Sequence, residues 1–114
     1  MASLVVTDTR LKQKPDQIKR IMKGTLEALS FIRNEREATV QFVSQWMRVE
    51  PAIAALMYEN LSPIFSKDGT ISDKGIEEAV KDVLEQTKNK KEVSVSTVVD
   101  SSLIQQVQKE MGLR

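Results

Sequence analysis

The chain has 114 residues and contains no Cys and no His. Any enzymatic chemistry must therefore come from carboxylates, Lys or Tyr58 alone. Thiol catalysis, a Ser-His-Asp triad and Cys- or His-ligated metal centres are excluded. The closest approach to an acid–base constellation is Glu77 and Glu78 with Lys81 and Asp82. Their spacing puts i,i+3 and i,i+4 pairs on one helix face. Paired carboxylates serve catalysis when an apolar pocket pushes their pKa values apart, and nothing near these four builds one. They read as a solvated face. The run Ser66-Lys67-Asp68-Gly69-Thr70-Ile71-Ser72-Asp73 resembles the second half of an EF-hand loop. Aligning Gly69 with the loop's invariant Gly puts Ile64 at the first ligand position and Gly75 at the last. Both positions need oxygen ligands, so the run reads as a turn before a capped helix. Trp46 and Tyr58 could stack on a ligand, but among apolar residues at helical spacing they read as core. Gly24, Gly69, Gly75 and Gly112 are scattered and form no phosphate-cradling loop. No catalytic residue, metal ligand or cofactor follows from these motifs, and an enzyme is not expected.

The totals narrow the class further. Hydrophobic residues make up 40% and charged residues 29%, with a net charge of +1. That balance suits one globular domain, residues 1–114, burying roughly two-thirds of its unfolded surface. The nearest approach to a basic stripe is Arg10, Lys12, Lys14, Lys19, Arg20 and Lys23. No aromatic residues interleave with it, so it reads as a solvated helix face rather than a nucleic-acid surface. A small nucleic-acid binder using this stretch is the least favoured reading. No apolar run approaches the roughly 20 residues that a bilayer requires, so no direct membrane insertion is expected. Leu4-Val5-Val6 is too short for the apolar core of a signal peptide.

These residues must be positioned by helices. From Pro15, apolar side chains fall at Ile18, Ile21, Met22, Leu26, Leu29 and Ile32. This spacing predicts an amphipathic helix over 15–33, with Pro15 at the first helical position. Before it, residues 3–7 suggest a strand end and Asp8 a cap for a short turn. Asn34 with Glu37 suggests a capping box for a second helix that turns Ala38, Phe42, Val43, Trp46 and Met47 to the core. Pro51 opens a third helix to about Leu61, apolar nearly all round and so expected to be buried on several sides. Ile64-Phe65 reads as an apolar plug in a loop. Ser72 caps a fourth helix with the stripe Ile76, Ala79, Val80, Val83 and Leu84, ending near Lys88, Lys90 and Lys91. Val93–Val99 should be extended. Asp100 or Ser101 caps the last helix, which carries Leu103, Ile104, Val107 and Met111 and stops at Gly112. The expected fold is mostly α: about five amphipathic helices in a compact bundle with one or two short extended segments.

The order of these features resembles a known family. The pieces are Leu4-Val5-Val6-Thr7, Lys14-Pro15-Asp16, the Ile18–Ile32 helix, Phe31-Ile32-Arg33-Asn34, Leu61-Ser62-Pro63-Ile64-Phe65-Ser66 with Asp68-Gly69, and Val99-Asp100. In this order they are similar to the C-terminal third of periplasmic substrate-binding proteins of ABC importers. The type is that for nitrate, sulfonate, taurine, bicarbonate and thiamine-precursor pyrimidines. The resemblance implies the helical portion of a two-lobed α/β solute receptor, periplasmic or at the cell surface, which works with an ABC permease. In the family, solute lies in the cleft between the lobes, upstream of this segment, so no ligand-binding residue is carried over. The Cys-rich motif and active-site His of the related yeast pyrimidine synthases have no counterpart here, so no enzymatic activity is implied. The implied partners are the missing α/β lobes or a second copy of the chain. Without the lobes an apolar face stays exposed, and the chain alone should dimerise or repack. The alternative is a free-standing helical interaction or dimerisation module without solute binding.

Overall fold

The structure, a computed structural model, describes residues 4–113. The described residues form seven helices and no strand. These are α1 (Asp8–Gln13), α2 (Pro15–Asn34), α3 (Arg36–Met47), α4 (Pro51–Leu61), α5 (Asp73–Gln86), α6 (Val95–Val98) and α7 (Ser102–Glu110), with a 3-10 turn at Ser62–Ile64 after α4. The fold is mostly α, and the five longer helices are the five that the apolar spacing predicts.

The expected extended pieces are absent among the described residues. Leu4–Thr7 carry no regular structure, and Ser3 lies outside the described residues. Within 93–99 the chain winds into α6. The Ser94 hydroxyl sits 3.2 Å from that of Ser96 and 2.8 Å from that of Thr97. Local hydroxyl bonding of this kind competes with a strand ladder, and here the helical turn wins.

The helix starts follow capping chemistry. Thr7, not Asp8, caps α1: its Oγ1 accepts the Arg10 N–H at 3.1 Å. Asp8 sits in the first turn, where its charge suits the dipole. The capping box at Asn34 and Glu37 does not form. α2 runs on through Asn34, whose Nδ2 donates to Ser30 Oγ, and α3 starts after Glu35 without a side-chain cap. Ser72 Oγ accepts the Gly75 N–H at 3.1 Å and opens α5. At α7 the N-cap position is Ser101, while the Asp100 carboxylate accepts the Ser102 N–H at 2.9 Å and the Ser102 hydroxyl at 2.6 Å.

Three helix ends share one closure. After α3, Val49 N–H reaches back to the Ser44 carbonyl at 3.1 Å; after α5, Asn89 reaches Leu84 at 2.9 Å; after α7, Leu113 reaches Gln108 at 2.8 Å. Each closure turns on a left-handed residue: Arg48, Lys88 and Gly112. This is the Schellman geometry, which satisfies carbonyls that the helix leaves open. Only the last of the three uses the glycine that the geometry favours.

The chain clusters into two compact units, with α2 running through both. One comprises residues 1–22 and 70–114. Its buried side chains are Ile18, Ile76, Val107 and Gln108. Lys19 Nζ meets Glu110 Oε1 at 2.6 Å within it. The other comprises residues 23–69. Leu26, Thr39, Val40 and Ala54 are its buried side chains. Thr39 is tolerated there because its hydroxyl donates to the Glu35 carbonyl at 2.7 Å. Here α3 and α4 form an αα-hairpin through residues 48–50, the close approach permitted by Ala54, which has no exposed surface.

Candidate interaction surface

The side chains that the sequence assigns to the core are in large part outside it. On α3, Trp46 is 73% exposed and Phe42 61%, and Ala38 and Met47 are exposed with them. The buried face is instead Thr39 and Val40, with Val43 and Ser44 half-buried. The cause lies in the composition of α3, where apolar residues surround the helix. Two stripes compete, 39/40/43 and 38/42/46. The hairpin with α4 takes the stripe whose side chains are small enough for close packing.

Phe42 and Trp46 stand one turn apart and stack. Their ring centroids are 6.1 Å apart and the planes lie within 21°. This is an offset aromatic pair at helical i,i+4 spacing, held ready on a rigid element.

α4 departs from expectation in the same way. It buries Ala54 and half-buries Ala55, Met57 and Tyr58, but Leu56 is 63% exposed and Ile53 is exposed as well. One side of this apolar helix is covered rather than several. Elsewhere Ile21 on α2 and Val83 on α5 also project into solvent, although the stripes assign them inward. Ile64 does not plug its loop, being 74% exposed.

Tyr58 is half-buried, where the sequence reads it as core. Its hydroxyl donates to the Ile32 carbonyl at 2.6 Å. The Arg36 guanidinium carbon lies 5.7 Å from its ring centroid, and Arg36 Nε donates to Glu59 Oε1 at 2.8 Å. The Glu59 carboxylate, and after it Glu37, raises the Arg36 pKa above its ordinary value. These contacts clasp α3 to α4 on an exposed edge, where such pairs stabilise only weakly.

The remaining motifs do not converge. Glu77, Glu78, Lys81 and Asp82 lie exposed on α5. In the 66–73 run, the Gly69 N–H donates to Ser66 Oγ at 2.9 Å, closing the turn from within. No group of three or more acidic side chains gathers to hold a metal among the described residues. Arg10 Nη1 donates to Gln17 Oε1 at 3.3 Å and Lys19 pairs with Glu110, so the basic stretch is partly engaged within the chain. An open groove of about 780 Å³ runs along α5 to α6, with Val80, Leu84 and Val93 as its apolar lining. Both acidic and basic residues border it, so it selects no charge class.

The surface total carries the same message. The 12.9 kDa chain exposes 9104 Å². A folded monomer of this mass exposes about 6,300 Å², and two independent halves would together expose roughly 7,600 Å². Even the larger figure leaves a surplus on the order of 1,500 Å², about twice the roughly 800 Å² that one partner contributes to a standard interface.

No family model, no curated protein and no solved structure matches this chain. Among the described residues no helix is long and apolar enough to cross a membrane.

Proposed function

We propose that this chain is the helical portion of a solute-binding receptor for an ABC importer of the nitrate, sulfonate and bicarbonate type. In this reading its apolar faces are covered by the receptor's α/β lobes. The observation that supports it is the exposure of Phe42, Trp46, Ile53 and Leu56. Apolar side chains of this size, left outside on rigid helices, mark a surface made to be covered by protein. The residue order from Leu4-Val5-Val6 to Val99-Asp100 supplies the identity of the covering lobes. The role is transport rather than catalysis, and the compartment is the periplasm or cell surface.

The test has two arms. The chain alone, melted with nitrate, bicarbonate or taurine, shows no shift, because the solute cleft belongs to the lobes. A bound solute at one hundred times its Kd would add about 2.7 kcal/mol and move the midpoint by several degrees. Added to the lobes of a receptor of this type that lacks its own C-terminal helical part, the chain binds and restores solute affinity. Lobes that never take up the chain, across a panel of such receptors, would count against the reading.

A second reading has its own support in the Phe42–Trp46 stack. A free-standing module could pair its exposed aromatics with those of a second copy. Sedimentation equilibrium decides it: a dimer that Phe42→Ser with Trp46→Ser abolishes favours self-association.

A further inference from the structure

We infer that the second unit holds a binding site for a small aryl-substituted carboxylate, independent of the receptor reading above. The site is a half-open cleft of about 240 Å³ between α2, α4 and the segment that follows it. Its apolar lining is Leu29 and Ile32 from α2 with Pro63 and Phe65 beyond α4, and the Tyr58 ring forms one wall. Ser62 and two cations, Arg33 and Lys67, complete the lining, and no acidic side chain takes part in it. An enclosed apolar cavity of about 150 Å³ admits benzene, so a half-open cleft of this volume can seat a ring with a short tether reaching solvent.

One of the two cations is held in place. Arg33 Nη1 donates to the Lys67 backbone carbonyl at 3.2 Å, which ties α2 to the loop after α4. That bond uses one of the guanidinium's several N–H donors, and the rest suit a carboxylate. The Tyr58 hydroxyl is already committed to the Ile32 carbonyl, so the phenol presents its ring rather than a polar tip. Apolar walls with two cations and no carboxylate in the lining favour an amphiphilic anion over a neutral or cationic molecule. The Phe65 and Tyr58 rings favour an aromatic tail over a thin alkyl one.

The experiment is a titration of the full chain with 3-phenylpropanoate, followed by amide NMR. Saturable shifts centred on Leu29, Ile32, Tyr58 and Phe65 are expected, with a Kd on the order of 1 mM for so small a ligand. 3-Phenylpropanol should bind at least tenfold more weakly. Lys67→Glu should weaken the acid at least tenfold while leaving the melt unchanged, because Arg33 bonds to the backbone carbonyl at that position. Lys90→Glu, outside the unit, should change nothing. No saturable shift, equal binding of the alcohol, or full binding by Lys67→Glu would each overturn the assignment. None of these results bears on whether α/β lobes cover the Phe42–Trp46 face.

Discussion

Phe42, Trp46, Ala54 and Asp100 each illustrate what a single side chain decides here. Trp46 is the only tryptophan, so its fluorescence reports on one position. For the isolated chain we expect red-shifted emission and ready quenching by acrylamide; protected, blue-shifted emission in a dilute monomer would mean that α3 packs by its other stripe. Ala54 has no exposed surface and lets α3 and α4 approach closely. Ala54→Leu should cost roughly 1–3 kcal/mol by overpacking, measured by urea unfolding. Asp100 is held below its ordinary pKa by the Ser102 hydroxyl and then by the Ser102 N–H. A folded-state pKa below the unfolded one stabilises at pH values above about 4, and that contribution is lost as pH falls through the folded value. Asp100→Asn keeps an acceptor without the charge. Wild type should therefore be more stable than the variant at pH 6, and the gap should close in acid; a gap that does not change between pH 6 and pH 2 would contradict this.

At the scale of elements, the helices argue for specific gains and losses. Gly24 sits inside α2, and a Cβ there would meet nothing within 4 Å. Gly24→Ala should stabilise the chain by about 0.5–1 kcal/mol. Lys88 closes α5 at φ 54°, a conformation that disfavours side chains. Lys88→Gly should gain up to about 1 kcal/mol by relieving that conformation, while Gly112→Ala, at φ 73°, should lose a similar amount. Thermal melts of the three variants check the signs. The starts at Pro15, Pro51 and Ser72 and the stop at Gly112 were legible in the sequence because each rests on local backbone chemistry. The burial of α3 was not. Ala38, Val40, Phe42, Val43, Trp46 and Met47 surround that helix, and period alone cannot choose a face when two stripes qualify. The restrained size of Thr39 and Val40 on α3, matched by that of Ala54 on α4, is the signal that would have chosen correctly. The helix at α6 was missed because Val93–Val99 reads as alternating, whereas Ser94 and Thr97 bond locally.

Across the whole molecule, the buried side chains are few and the exposed apolar ones are large. The candidate surface was not legible in the apolar spacing, which assigns Phe42 and Trp46 to the core; their exposure required the structure. Surplus area on the order of 1,500 Å² exceeds the roughly 800 Å² that one partner gives up in a standard interface. The most direct measurement is therefore photo-crosslinking in the cell of origin, with a benzoylphenylalanine in place of Phe42 and the adducts identified by mass spectrometry. The account predicts adducts with peptides from an α/β solute-binding lobe. Recovery of the chain with no protein adduct, or with adducts to itself alone, would contradict it.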